Sequence, residues 1–156
     1  MSTVWSERKL KYEPFHYSSL KELKAKFDEY SLPFYAQENT DILFEKVKTG
    51  SWELKNRFVI QPMEGCDGTA AGEPGELTKR RYHRFAESGA ALIWMEAVSV
   101  AAEGRANPRQ LYICGKTADS FKRLTESVKE ICMKQNGFEP MVILQATHSG
   151  RQSKPG

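Results

Sequence analysis

The sequence is poor in the residues that build cross-links and metal sites. Its three cysteines, Cys66, Cys114 and Cys132, are odd in number and have no CxxC spacing, which argues against a disulfide framework and against a paired-cysteine zinc site. The three histidines, His16, His83 and His148, lie far apart and suggest no metal cluster. Long apolar runs are also missing. The longest, Ala90–Met95 and Met141–Leu144, are far too short to span a bilayer, so no membrane partner is expected. Met1–Lys11 is polar and leads into no apolar segment of the kind a signal peptide carries, which places the expectation in the cytoplasm. An excess of one charge is lacking as well: a net charge of +3 with no basic stripe gives no reason to expect nucleic acid. No GxGxxG follows an apolar strand and no GxxxxGK[ST] loop occurs, which removes the commonest nucleotide-binding open sheets. There is no internal repeat beyond a strand–helix unit.

What remains is an ordinary globular composition, 156 residues with 40% hydrophobic and 28% charged side chains, enough for one domain with a core. Residues 1–17 show no clear period and read as an arm. Ser19 and Glu22 form a capping-box pattern, and Leu20, Leu23, Phe27 and Tyr30 follow at helical spacing, so a helix is predicted before Pro33. Two short stretches between Leu43 and Leu54 flank Thr49-Gly50-Ser51 and predict a β-hairpin.

From residue 57 the pattern becomes strand–helix–strand–helix–strand. The strands are predicted at 57–61, 90–95 and 141–145 and the helices at 78–88 and 119–134, with Thr78 as a helix cap and Gly89 as a stop. Near-continuous apolar strands mean parallel pairing with both faces covered, hence an α/β fold. Right-handed crossovers build either an open sheet or part of a barrel, and periodicity does not choose between them.

In a parallel barrel the chemistry sits at the C-terminal ends of the strands. Those ends carry Gln61-Pro62-Met63-Glu64-Gly65-Cys66, then Met95-Glu96-Ala97, then Gln145-Ala146-Thr147-His148-Ser149-Gly150-Arg151. Such residues suit a planar heterocycle: backbone beside Pro62 and Glu64 can bond a ring edge, small Ala97 permits close approach, and the Gln145 amide offers a donor and an acceptor. Taken singly, each is more often a strand stop, a packing residue or a loop cap.

Together, in this order and spacing, they resemble the NADH:flavin oxidoreductase and Old Yellow Enzyme family. The resemblance runs from about residue 42 to 156. It rests on Asn56–Met63, on Leu77-Thr78 through Tyr82, on Gly89–Ile93 with Glu96-Ala97, on Gly104-Arg105, and on Gln145, His148, Gly150 and Arg151. It is similar to the 2,4-dienoyl-CoA reductase-like branch. It implies a partial (β/α)8 TIM barrel, about the first three strands, over 42–156, preceded by an N-terminal extension over 1–41. It implies FMN as cofactor, NADH or NADPH as reductant, and hydride transfer to the activated C=C bond of a small unsaturated substrate. By position the cofactor-binding residues are Gln61, Pro62, Met63, Glu64, Ala97 and Gln145, with His148 in a supporting place rather than as proton donor. No catalytic residue is assigned.

Two positions depart from the better-known members of the family. Glu64 stands where they carry Thr or Cys: it either opposes charge on the reduced ring or turns outward and offers only its backbone. Cys66 replaces a substrate-side Tyr and reads as a plain loop thiol. The family's substrate-anchoring pair, Tyr donor and phosphate site have no counterpart in these residues, so the chain reads as an N-terminal portion that is inactive alone. The alternatives are a half-barrel completed by a partner chain and a non-catalytic interaction module. Phe58, Ile60, Leu92, Val142 and Leu144 are expected to face the barrel interior, and self-association through free edges follows from that.

Overall fold

The computed structural model describes residues 14–155, and the chain divides into two compact units, Met1–Asn39 and Thr40–Gly156. Most of the predicted arm, residues 1–13, lies outside the described residues. In the first unit, helix α1 spans Leu20–Glu29 with Ser19 as its N-cap. The Glu22 N–H donates to Ser19 Oγ at 3.2 Å, while the Glu22 carboxylate accepts from the N–H of Ser18 at 3.0 Å. The capping box is therefore shifted by one residue on its return side. The helix ends where Ser31 turns to a φ of 52° and the Leu32 N–H reaches back to Phe27 O.

The second unit opens with a hairpin of β1 (Val47–Thr49) and β2 (Trp52–Leu54), paired antiparallel from Thr49↔Trp52 to Val47↔Leu54. Gly50, at the first central position of its two-residue turn, has a φ of 59°, the conformation a tight hairpin turn asks of glycine. Trp52 and Leu54 share a cleft with Ala91, Pro140 and Met141, so the hairpin lies at the N-terminal ends of the following strands.

Three parallel strands follow in the order β3-β4-β5. They are β3 (Val59–Ile60), β4 (Leu92–Ser99) and β5 (Met141–Thr147), with α2 (Glu76–Glu87) and α3 (Ala118–Asn136) as crossovers. β3 is shorter than predicted because its first backbone groups are engaged elsewhere. The Arg57 N–H donates to Leu43 O at 2.9 Å and the Phe58 N–H to Asn56 Oδ1 at 3.1 Å. The same buried Asn56 accepts from the Ala91 N–H and donates to Gly89 O, clamping the start of β3 to the start of β4.

α2 begins two residues before the predicted start, with Gly75 as N-cap. Thr78 is the third helical residue rather than the cap. Its Oγ1 accepts from the Gly75 N–H at 3.2 Å and donates to Asp67 at 2.6 Å. β4 runs four residues past its predicted end and takes in Glu96 and Ala97, with a register irregularity between Trp94 and Ala97. The Glu96 N–H donates at 2.9 Å to the hydroxyl of Tyr82 in α2, which satisfies a backbone group at that irregularity. α3 closes on Gly137 at a φ of 79°, and its last residue, Asn136, donates to Ala86 O of α2.

The two faces of the sheet differ. Ile60, Ile93 and Val142 are register partners and all pack into the core formed with Tyr82, Phe121, Leu124 and Val128 of the two helices. Alternation then puts Val59, Leu92 and Met141, and beyond them Trp94 and Ile143, on the opposite face, which neither crossover helix covers. The expected inward set is corrected accordingly. Leu92 is on the open face, whereas Ile60 and Val142 belong to the helix side, as do Phe58 and Leu144 by the same alternation. An uninterrupted apolar run does not reveal its own phase.

Candidate functional site

The C-terminal ends of the three strands and the loops that follow them gather the motifs at one end of the sheet. Ala97 and Gln145 are register partners on neighbouring strands, so their side chains stand side by side on the open face, in line with Trp94 and Ile143. Gln145 is half-buried, and among the described residues its amide has no hydrogen-bond partner.

Gln61, Pro62, Met63 and Glu64 leave β3 as an irregular segment. Pro62 is half-buried, Gln61 and Glu64 are exposed, and Met63 is 73% exposed. The Met63 N–H turns back on Gln61 O at 2.8 Å. The Glu64 carboxylate accepts from Nδ2 of Asn107, in the loop after β4, at 3.1 Å, and the same amide also reaches Cys66 Sγ. Glu64 thus has a partner for its side chain, while its own N–H has none among the described residues.

Beneath this segment lie Glu96, which the sequence motif gave no role, and Arg81 and Asp67, which no motif singled out. Glu96, whose side chain is 1% exposed, accepts from Arg81 Nη2 at 2.8 Å through one oxygen and from the Gly65 N–H at 2.8 Å through the other. Arg81 also reaches Asp67 at 2.9 Å and Met63 O at 3.3 Å. Burial works against the Arg81 charge, but Glu96 and then Asp67 outweigh it and hold the guanidinium above its ordinary value. The Tyr82 phenol is driven well up, by burial first and by the Glu96 charge second. A Glu inside an otherwise apolar run was the signal available in the sequence, since a buried carboxylate demands partners.

The loop after β4 is packed rather than loose. Buried Arg105 donates to the carbonyls of Ala70, Pro108 and Gln110. Gln110 in turn donates to Ala97 O at 3.3 Å and accepts from the Ala106 N–H at 2.6 Å. Gly104 and Arg105 meet the third motif: the Ser149 N–H donates to Gly104 O at 2.8 Å, and the His148 ring fills the space where a Gly104 side chain would stand. His148 Nδ1 accepts from the Gly150 N–H at 3.0 Å, so one ring nitrogen serves the local turn. Burial and the Glu64 charge push the Cys66 thiol up, whereas the Thr117 hydroxyl and the Lys116 amide lower that of Cys114. Among the described residues no cluster of His, Cys, Asp or Glu could hold a metal ion, and no helix is long and apolar enough to cross a membrane.

Residues 42–155 match the NADH:flavin oxidoreductase / NADH oxidase family. The chain belongs to this family. An NADPH dehydrogenase of Geobacillus sp. is 33% identical over 116 residues, covering 72% of this chain and 32% of the relative. An NADPH dehydrogenase of Bacillus cytotoxicus is 28% identical, covering 72% and 31%. The chain therefore spans about a third of the length of these curated relatives. Among solved structures, the Old Yellow Enzyme from Pichia sp. AKU4542 superposes with a TM-score of 0.62 at 23% identity, over 73% of this chain and 28% of that one. Morphinone reductase superposes with a TM-score of 0.55 at 25% identity, over 71% and 27%. The family is one of flavin-dependent oxidoreductases, and both curated relatives are NADPH dehydrogenases.

Proposed function

We propose that residues 42–156 form the opening third of an FMN-binding (β/α)8 barrel, with 1–41 as an extension. In the whole protein this barrel would be an NAD(P)H-dependent ene-reductase acting on a small molecule with an activated C=C bond. The observation that carries the reading is the Ala97–Gln145 pair on the open face, next to the segment Gln61–Glu64. These residues fit a flavin. Ala97 leaves room for a flat ring, the unengaged Gln145 amide can meet both a carbonyl and an N–H of a pyrimidine edge, and the free Glu64 N–H can donate to a ring acceptor. FMN, when bound, supplies the hydride chemistry.

The chain's own residues orient and bind the ring. With its carboxylate on Asn107, Glu64 acts through its backbone, and the ring-opposing role open to it in the sequence is set aside. His148, engaged with Gly150, belongs to the framework of the third motif rather than to proton transfer. The phosphate and the substrate-anchoring groups are assigned to further strands, which would also cover Trp94 and Ile143. Three free cysteines accord with a cytoplasmic setting.

The test is flavin retention. The 156-residue chain should leave gel filtration colourless or with little FMN, whereas the barrel with its remaining strands supplied should leave it yellow. In that completed protein Gln145→Ala should weaken FMN or shift its potential. Unchanged affinity together with an unchanged potential would remove Gln145 from the site and leave the reading without its main support.

A further inference from the structure

The segment Gln61–Cys66 has to keep one shape if its backbone is to meet a ring, yet little packs against it: Gln61, Met63, Glu64, Gly65 and Cys66 are all exposed. Its conformation must come from specific bonds. Two of them bracket Glu64. On one side Met63 O accepts from Arg81 Nη1, and on the other the Gly65 N–H donates to Glu96. The peptide groups on both sides of the Glu64 Cα are held, and the Glu64 N–H, which shares its peptide plane with Met63 O, is left without a partner among the described residues.

Both anchors come from one ion pair. Glu96 sits inside β4, its side chain buried, and its backbone N–H is held by Tyr82 of α2. Arg81 is the preceding residue of α2 and ties the far end of the segment through Asp67, which Thr78 also holds. Gly65 sits tight against the pair: a Cβ there would lie 2.1 Å from Arg81 Nη2, so a side chain at this position would have to displace the guanidinium. A carboxylate accepting a backbone N–H is a charge-assisted bond, stronger than a neutral one, and it stands on a strand rather than on a loop.

We propose that Glu96 and Arg81 are positioning residues: their ion pair sets the conformation of Gln61–Cys66 and thereby presents the Glu64 N–H to the flavin edge. The flavin half of this statement rests on the functional reading given above; the conformational half does not. A pair that only stapled α2 to β4 would change stability and leave the flavin alone.

The test therefore has two arms. In the chain itself, amide exchange of Gly65 should be slow, and Glu96→Ala should accelerate it by about 10- to 100-fold, the factor that goes with losing a bond to a charged group. Glu96→Gln, which keeps an acceptor, should retain most of the protection. Gly65→Ala disturbs the same contacts from the loop side, by crowding Arg81 Nη2, and leaves the sequence of β4 unchanged, so it serves if the Glu96 variants do not fold. It should shift the amide resonances of Met63 and Glu64 while the amides of the β4–β5 ladder stay protected. In the completed barrel, Glu96→Ala and Gly65→Ala should weaken FMN about tenfold or more or displace its two-electron potential, with Glu96→Gln close to wild type.

Fast exchange at Gly65 in the wild-type chain would overturn the proposal. So would slow exchange lost in Glu96→Ala with unchanged flavin affinity and potential, since the pair would then be a staple. A completed wild-type barrel that takes up no flavin would instead overturn the functional reading, and the exchange arm would still decide whether the pair shapes the segment.

Discussion

Single residues show how strongly neighbours decide reactivity and tolerance. The three thiols differ in environment although none is in a disulfide: Cys132 is buried, Cys66 is exposed but pushed up, and Cys114 is lowered. The thiolate is the nucleophile, so a lowered group carries more of it at a given pH. Iodoacetamide at neutral pH should therefore label Cys114 before Cys66, with Cys132 last, and the rate at Cys114 should rise at lower pH than that at Cys66. Peptide mass spectrometry over a time course checks this, and Cys66 reacting first would contradict it. Gly72 supplies a second case. It has a φ of 88°, and a Cβ there would fall 2.5 Å from Tyr112 Cβ and 2.9 Å from Tyr112 N. Gly72→Ala should cost about 1–3 kcal/mol, measured by urea unfolding, because strain and overlap with backbone add at one place.

At the scale of elements, the junctions matter more than the elements. β3 has only two residues in the ladder, and Asn56 does what a longer strand would do by serving the Phe58 N–H, the Ala91 N–H and Gly89 O. Asn56→Ala would strand these buried groups and should destabilise the second unit by about 2–4 kcal/mol, seen as a shifted denaturation midpoint with an unchanged slope. A change under half that would mean the backbone finds other partners. The irregularity in β4 has a similar logic. It turns Glu96 to Arg81 and Gly65 while Val98 returns to the helix-side core and Ala97 stays beside Gln145.

For the whole molecule, the open face is the dominant fact. Val59 and Trp94 are 39% and 41% exposed on a face that is apolar up to the Ala97–Gln145 pair, and β3 and β5 are both edge strands among the described residues. Each large side chain is worth about 1.5–3 kcal/mol when fully buried, and edge strands offer unpaired backbone groups. The 156-residue chain should accordingly self-associate, and light scattering after size exclusion should give a mass above that of a monomer. A monomer that melts in one sharp transition would favour an independent interaction module over a part of a barrel.

The sequence by itself determined the parallel α/β arrangement, the hairpin, the positions of both crossover helices to within a few residues, and the family. Each depends on a local period, a turn residue or a short motif that survives without the fold. Tertiary structure decided the rest. The end of β4 moved because Glu96, polar by type, finds its partners in Arg81 and Gly65, fifteen and thirty-one residues away. The phase of the faces was decided by pairing, because runs such as Ala90–Met95 have no polar residue to mark which side meets water. Glu64 turned to Asn107, forty-three residues on, a choice that no local pattern encodes. Local chemistry fixes what an element is; partners distant in the chain fix where it stops and which way it faces.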